Sequence, residues 1–162
     1  MNGSAGSSTQ ARVLDGFAAL RVLFGLLFLA NGLAKLVPGL WNTPLGYLIN
    51  ADAARDIVAS EVRRHPIPLY RDVMEGVILT NWSLVAPLLA TFEILVGGLL
   101  LAGVATRWAA LAGALFALHL HFMTVFNGRW LFEFALIWVP LLVLASGPTR
   151  SIRFGRAGGG ES

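Results

Sequence analysis

Residues 84–104 read LVAPLLATFEILVGGLLLAGV, and the stretch contains one charged side chain, Glu93. A helix rises about 1.5 Å per residue, so a helix of this length spans about 30 Å, the hydrocarbon thickness of a bilayer. A surface helix of a soluble protein would carry a polar face along such a length. The stretch therefore predicts a helix that crosses a membrane.

Three further apolar stretches resemble it, at about residues 17–37, 108–126 and 130–146. Ala105-Thr106-Arg107 separates the second stretch from the third, and Asn127-Gly128-Arg129 separates the third from the fourth, so both connections are tight turns. We expect an all-α fold over residues 15–155, an integral membrane four-helix bundle with an amphipathic helical insert between helices 1 and 2. Four crossings place both termini on the same side.

The composition excludes several classes of protein. Of 162 residues, 56% are hydrophobic and 13% are charged, with a mean hydropathy of +0.70. Soluble domains have about 25% charged residues, so a water-soluble fold could not bury this chain. The net charge of +3 is not gathered on one basic face, so no nucleic acid partner is expected. Without cysteine there are no disulfides or Cys-ligated clusters, and any redox role needs an external cofactor or partner.

The flanking sequences suggest the orientation. Residues 1–14 and 156–162 are rich in Gly and Ser and are predicted to be disordered tails. Arg150, Arg153 and Arg156 follow the last apolar stretch without acids, whereas the arginines between the first two stretches are mixed with Asp and Glu. By the positive-inside rule, both termini are expected in the cytoplasm.

The insert at residues 41–83 is predicted to be helical and extracytoplasmic. Asn50 is suited to cap a helix that must end before His65-Pro66, and Pro68 is suited to begin the next one. Trp and Tyr residues lie near the outer ends of the spans, where an aromatic belt is expected. They are Trp41, Tyr47, Tyr70, Trp82 and Trp130. We expect the insert to lie along the membrane surface and cover the outer mouth of the bundle.

Charged residues inside the spans should face the bundle, because exposing each to lipid costs about 2.5–3.5 kcal/mol on insertion scales. One face of helix 1 combines charges with glycines: Arg21, Gly25, Phe28, Gly32 and Lys35. In helix 2, Glu93 shares a face with small residues, which permit close helix packing. From the estimated depths in the membrane, we expect Arg21 and Glu93 to form a structural ion pair.

Four polar residues, Asn31, Lys35, His121 and Glu133, fall in the outer third of the spans and define a candidate outer pocket. Each also has a structural interpretation, since Lys35 can extend to the interface, His121 can bridge helices and Glu133 can belong to the interface. His119 and His121 lie about 200° apart around a helix and cannot bind one ion from it. No metal site is predicted, and catalytic residues cannot be named.

Short motifs resemble the DoxX family, including the DoxD-like small subunit of thiosulfate:quinone oxidoreductase. They are residues 21–25 (RVLFG), 31–36 (NGLAKL), 93–98 (EILVGG), 103–107 (GVATR) and Gly147-Pro148. The resemblance covers about residues 17–155. It implies a four-helix membrane protein associated with respiratory or redox complexes, and for DoxD-like members electron transfer from thiosulfate to quinone.

Three functional hypotheses follow. The first is a membrane subunit of a respiratory-type oxidoreductase, possibly of the thiosulfate:quinone type, which anchors a partner subunit and provides a quinone or anion site. The second is a small carrier or channel acting as a homo-oligomer, with the polar face lining a path. The third is a purely structural membrane subunit. In each case the protein is expected in the bilayer of a prokaryotic plasma membrane, with no covalent cofactor.

Overall fold

The computed structural model describes residues 4–36, 49–127 and 131–147, and within these ranges all regular secondary structure is helical, which confirms the all-α prediction. Trp41, Tyr47, Trp130 and the predicted tail 156–162 lie outside the described residues. The six α-helices are α1 Ser4–Leu36, α2 Ala51–Arg64, α3 Pro68–Val73, α4 Trp82–Ala102, α5 Thr106–Thr124 and α6 Leu131–Ser146. A π-helical segment, Met74–Leu79, continues α3, and a 3-10 turn, Val125–Asn127, follows α5.

Helix α1 begins at Ser4, well before the apolar stretch. Residues 4–14 were predicted to belong to a disordered tail, and the structure instead places them in the helix. Extending an existing helix adds one hydrogen bond for each residue fixed, and Ala, Gln and Arg have good helix propensity. A polar sequence can therefore continue a helix that its apolar part has nucleated.

The four long helices share one core. Helix α1 packs along α4 and α5 packs along α6, while α4 also contacts α5 and α1 also contacts α6. Buried residues from all four helices form a single apolar cluster: Phe24, Phe28, Val96, Leu100, Ala109, Ala110, Ala114, Leu141 and Leu144. Gly113 of α5 leaves room for Phe28 of α1, since a Cβ at Gly113 would lie 3.1 Å from the end of the Phe28 ring.

Glycines bring the backbones of α1 and α4 into direct contact. A Cβ atom on Gly97 would lie 2.5 Å from the backbone nitrogen of Leu29 and 2.8 Å from the carbonyl oxygen of Gly25. A Cβ on Gly32 would lie 2.8 Å from the carbonyl oxygen of Ala90. These distances are too short for any side chain to fit. Glycine at positions 32 and 97 therefore fixes the register between the two antiparallel helices.

The insert folds as its local sequence predicts. Asn50 caps α2, since its side-chain oxygen accepts a hydrogen bond of 2.8 Å from the Ala53 amide. Helix α2 ends at Arg64, before His65-Pro66, and Pro68 is the first residue of α3. The Trp82 indole nitrogen donates to the carbonyl oxygen of Ala51 at 3.2 Å, which ties the start of α2 to the start of α4.

Two helices in the described ranges are long and apolar enough to cross a bilayer, Gly16–Leu36 within α1 and Trp82–Ala102 as α4. The apolar part of α6, Glu133–Ser146, is shorter. Large apolar side chains nevertheless point outward from all four long helices, and examples are Leu23, Leu26, Leu88, Leu95, Trp108, Leu115, Leu136 and Val143. Such a surface is typical of a protein in lipid.

Candidate functional site

A buried ion pair joins α1 to α4. Lys35 lies in the last turn of α1, and its Nζ atom is 2.7 Å from the Oε2 atom of Glu93 in α4. The two side chains are 5% and 7% exposed. Glu93 lies on the small-residue face predicted for it, together with Ala90 and Gly97. Since the charges are removed from solvent, each one depends on the other for compensation.

Asn31 completes this site. Its side-chain amide donates to the carbonyl oxygen of Leu27 at 2.9 Å, and its Oδ1 atom accepts a hydrogen bond of 3.4 Å from the amide of Ile49. Lys35 Nζ also donates to the Asn31 carbonyl oxygen, at 3.4 Å. One turn of α1 therefore contacts both the acid of α4 and the chain leading into the insert.

The predicted ion pair between Arg21 and Glu93 is corrected by these contacts. A Cβ on Gly103, at the far end of α4, would lie 2.5 Å from the Nη1 atom of Arg21. Arg21 therefore lies ten residues along α4 from Glu93, about 15 Å away at helical rise. Its buried Nε atom has no hydrogen-bond partner within the described part of the chain.

The other two members of the candidate outer pocket have surroundings of their own. The Trp138 indole of α6 donates to the Nδ1 atom of His121 at 3.4 Å, and the two rings meet nearly at right angles. Glu133 is exposed near the start of α6. Across residues 16–36, 49–126 and 133–147, no hydrogen bond or ion pair joins His121 or Glu133 to Lys35. The four-residue pocket stays a prediction, of which the structure brings together Asn31 and Lys35.

A second group of polar side chains, at the junction of the insert and α5, was not predicted. We define the outer aromatic cluster as His65, Tyr70, His119, Phe122 and Phe126. His65 has 0% exposure, and its ring centroid lies 4.3 Å from that of Tyr70 and 4.9 Å from that of Phe126. Two sequence signals could have indicated it, namely Phe122 and Phe126 one turn apart on α5, and a histidine at the end of α2.

The hydrogen bonds of this cluster are incomplete. The Nδ1 atom of His65 accepts a bond of 3.3 Å from the amide of Ile67, the residue that precedes α3. Its Nε2 atom is buried and, among the described residues, has no partner. The Tyr70 hydroxyl lies 3.5 Å from the Nε2 atom of His119. Burial raises the pKa of Tyr70 to about 12, so the hydroxyl keeps its proton at neutral pH.

A groove of about 450 Å³ lies between α2 and the π-helical segment. Its walls carry both charge signs, and its lining residues are Arg55, Asp56, Ala59, Arg63, Glu75 and Leu79. No group of three or more His, Cys, Asp or Glu side chains suited to a metal ion occurs in the part of the chain described.

The comparisons with known proteins bear on the middle of the chain. The family model described as DoxX matches residues 64–125, less than half of the 162 residues. The matched region runs from the end of α2 to the end of α5 and includes Glu93 and the outer aromatic cluster apart from Phe126. No curated protein and no solved structure matches the chain. The apolar helices and this match indicate a membrane protein and support its membership of the DoxX family.

Proposed function

We propose that the chain is a multi-pass subunit of a respiratory-type membrane oxidoreductase, with α1, α4, α5 and α6 crossing the bilayer and both termini in the cytoplasm. The observation that carries the membrane assignment is the contrast between the outside and the inside of these helices. Their outer faces expose leucine, valine and tryptophan, whereas Lys35 and Glu93 compensate each other in the interior. Burying a carboxylate while exposing leucines is favourable where lipid, not water, is the solvent.

The same contrast supports crossings by α5 and α6. Helix α5 has 19 residues, and its outward side chains include Trp108, Leu115 and Leu118. Its length is about 28 Å, close to the hydrocarbon thickness of about 30 Å. Helix α6 has 16 residues and exposes Leu136 and Val143. A helix of this length can span if the bilayer thins locally or flanking residues extend to the interface.

Cysteine labelling tests this topology, because the chain has no native cysteine to interfere. Asp52, exposed on α2, and Val104, exposed in the turn between α4 and α5, are each replaced by cysteine. In intact spheroplasts, a membrane-impermeant maleimide should label Asp52→Cys alone, and after permeabilisation it should label both variants. Labelling of both in intact cells would contradict a crossing by α4, and the reverse pattern would contradict the orientation.

The redox role is proposed from the motifs that resemble DoxD-like subunits, whereas the DoxX match supports the membrane assignment. With no cysteine for thiol or iron–sulfur chemistry, electrons must enter through a partner subunit or a bound quinone. The test is purification in mild detergent, followed by identification of co-purifying proteins and quinones and by assay of thiosulfate-dependent quinone reduction. A redox partner and bound quinone are expected. A lone protein without quinone would contradict the proposal.

The buried ion pair favours a second candidate, a purely structural subunit. Lys35 and Glu93 are almost inaccessible and lie where helix backbones touch, so they can serve assembly without contacting a substrate. For this candidate, replacing both residues by neutral ones should change the yield of the assembled complex and leave its turnover per complex the same. A fall in turnover per complex would exclude the structural role.

A further inference from the structure

The groove between α2 and the π-helical segment is lined by charges of both signs that the protein does not pair. Its volume is about 450 Å³, within the range of small-ligand sites. Arg55 and Arg63 carry positive charge, and Asp56 and Glu75 carry negative charge. In the described part of the chain, none of these four side chains forms a hydrogen bond or an ion pair. Opposite charges that share a groove without meeting leave room for a molecule that meets both.

Helix α2 presents both arginines on one side of the groove. Arg55, Ala59 and Arg63 are spaced by four residues, so they lie along one face of the helix. The Cα atoms of the two arginines are about 12 Å apart at helical rise, and the small side chain of Ala59 leaves space between them. Two long side chains can converge from this separation on one phosphate, a group that guanidinium forks bind well. This wall of the groove therefore suits an anion.

The opposite wall has an uncommon backbone conformation. In the segment Met74–Leu79, the Glu75 carbonyl oxygen accepts bonds from the Thr80 amide at 3.2 Å and from the Thr80 hydroxyl at 2.8 Å. A bond to the amide five residues ahead defines a π-helical turn, a rare form that is frequent at functional sites. Glu75 lines the groove from this wall and Asp56 from the other. Two carboxylates repel a simple anion, so the ligand must also carry a positive group.

The lining residues select the kind of cation. A primary ammonium group donates hydrogen bonds to carboxylates, whereas a quaternary ammonium group is usually held by aromatic faces. The six residues that line the groove, within the described ranges, include two carboxylates and no aromatic ring. The groove therefore suits a phosphate ester that carries a primary ammonium group, as phosphoethanolamine does.

The groove lies close to the level where α4 enters its apolar span. Leu79 precedes Trp82, the first residue of that span, by three positions, and the Trp82 indole is bonded to Ala51 at the start of α2. Further along α4, Leu84 and Leu88 are exposed apolar side chains. In the proposed topology this is the level of the headgroups of the outer leaflet, with acyl chains beside α4. A lipid headgroup is therefore a nearer source of this chemistry than a soluble phosphate ester.

We propose that the groove binds the headgroup of phosphatidylethanolamine, with Arg55 and Arg63 on the phosphate and Asp56 and Glu75 on the ammonium group. The inference rests on the membrane topology of the proposed function and is independent of its redox role. It gives the insert a lipid partner in addition to any protein subunit.

Native mass spectrometry of the full chain in mild detergent tests the inference. Phosphatidylethanolamine, phosphatidylcholine and phosphatidylglycerol with identical acyl chains are titrated separately. The parent should bind phosphatidylethanolamine about fivefold more tightly than either of the others, the effect of one strong exposed ion pair. Free phosphoethanolamine is the arm for a soluble ligand, and it should compete weakly because it lacks acyl chains to bury against α4.

Two variants separate the charges of the groove. Asp56→Asn/Glu75→Gln removes the carboxylates, so the preference for phosphatidylethanolamine over phosphatidylcholine should disappear. Arg63→Gln removes one contact to the phosphate, which all three lipids carry, so each lipid should bind about threefold more weakly.

Matched controls remove the same charges outside the groove. Asp52→Asn/Asp72→Asn and Arg64→Gln change residues that are exposed on α2 and α3 and do not line the groove. Their lipid affinities should stay within twofold of those of the parent. All of these positions are exposed, and affinities are compared between variants whose melting temperatures equal that of the parent.

The outcomes are distinct from those for the redox role. Equal affinity of the parent for phosphatidylethanolamine and phosphatidylcholine would overturn the inference, and this comparison needs no variant. Tighter binding of phosphatidylglycerol would identify a general site for anionic lipids instead. A preference that survives Asp56→Asn/Glu75→Gln would exclude the groove as its origin, and competition by free phosphoethanolamine equal to that by the lipid would exclude a lipid site. None of these results bears on a co-purifying redox partner, which tests the proposed function by itself.

Discussion

The α1–α4 interface and the contact between the insert and α5 both bury polar side chains, but they compensate them differently. In the first, a carboxylate and an ammonium group meet at 2.7 Å between helices whose backbones touch at glycines. In the second, a neutral histidine is enclosed by Tyr70, Phe122 and Phe126, and one ring nitrogen is left without a partner in the described residues.

The difference shows which buried polar groups each of the two regions can hold. A charge within an apolar span must be neutralised by a partner inside the protein, because no water is available. A neutral imidazole costs less to bury, so ring packing can hold it with one hydrogen bond missing. The first region should therefore fail sharply when one residue changes, and the second should weaken gradually.

The largest effect is expected at the ion pair. Lys35→Met leaves the Glu93 carboxylate buried without a partner, which should cost about 3–5 kcal/mol of unfolding free energy. Thermal unfolding in nanodiscs, followed by circular dichroism, would measure it.

The double variant Lys35→Met/Glu93→Gln is the control for charge. It removes both charges together and should recover most of the loss, since neutral replacements of buried ion pairs are often well tolerated. A double variant as unstable as the single one would show that packing, and not charge compensation, is what the pair contributes.

The next effect concerns the glycines of the same interface. Gly97→Ala places a Cβ 2.5 Å from the Leu29 nitrogen and should cost about 1–3 kcal/mol through overpacking. Gly98→Ala is its neighbour control, because a Cβ there meets nothing within 4 Å, and alanine at that position should be neutral or slightly stabilising. Equal melting temperatures for the two variants would contradict direct backbone contact between α1 and α4.

In the insert, a smaller effect is expected from the helix cap. Asn50→Ala removes the bond to the Ala53 amide and should cost about 1 kcal/mol. The loss should appear locally, as faster hydrogen exchange of the first turn of α2, while the amides of α4 keep their protection. Equal acceleration throughout α4 would mean that the insert and the long helices unfold as one cooperative unit, against the contrast drawn above.

The effect that is smallest near neutral pH is a pH dependence of the insert, which develops only above pH 10. Burial raises the pKa of Tyr70 from 10.0 to about 12. The folded state thus holds this proton more tightly than the unfolded chain, so the contribution to stability is complete below pH 10 and is lost as the pH rises through about 12. Phenolate absorbance of a Tyr47→Phe background would follow Tyr70 alone. Titration of Tyr70 near pH 10 would contradict its burial.

Local features of the fold could be predicted from the sequence because their causes are local. Asn50 as a cap, the end of α2 before Pro66 and the start of α3 at Pro68 each depend on a few neighbouring residues. The inward face of Glu93 followed from the small residues at helical spacing around it. Periodicity gives the face of a helix without any knowledge of its neighbours.

The pairing of Glu93 failed because depth alone does not give the register between two helices. The sequence already contained the information on register. Gly25 and Gly32 of α1 lie seven residues apart, and so do Ala90 and Gly97 of α4. Aligning the two antiparallel stripes places Gly25 near Gly97 and Gly32 near Ala90, as the structure has them. In that alignment Glu93 lies level with Leu29, six residues from Lys35 and eight from Arg21, so the stripes alone do not choose between the two cations. Helical side chains lean toward the N-terminus of their own helix, which directs Lys35 and Glu93 toward each other and Arg21 away from Glu93.

The candidate outer pocket stays a prediction. Its four residues were grouped by depth, yet residues at one depth can face different neighbours around their helices. His121 faces Trp138 of α6, whereas Lys35 faces α4. The outer aromatic cluster was missed for a related reason, because it combines α2, α3 and α5, whose relative placement no single periodic pattern contains.

The reversal between α4 and α5 has a consequence for how the protein is made. Gly103 and Ala105 both have positive φ, so the chain turns back within three residues, which extend at most about 10 Å. A bilayer core is about 30 Å thick. A connection this short therefore cannot leave the end of α4 and the start of α5 on opposite surfaces. In the proposed topology the two helices therefore enter the membrane together as a hairpin during biosynthesis, whereas α1, which the insert separates from them, can enter before them.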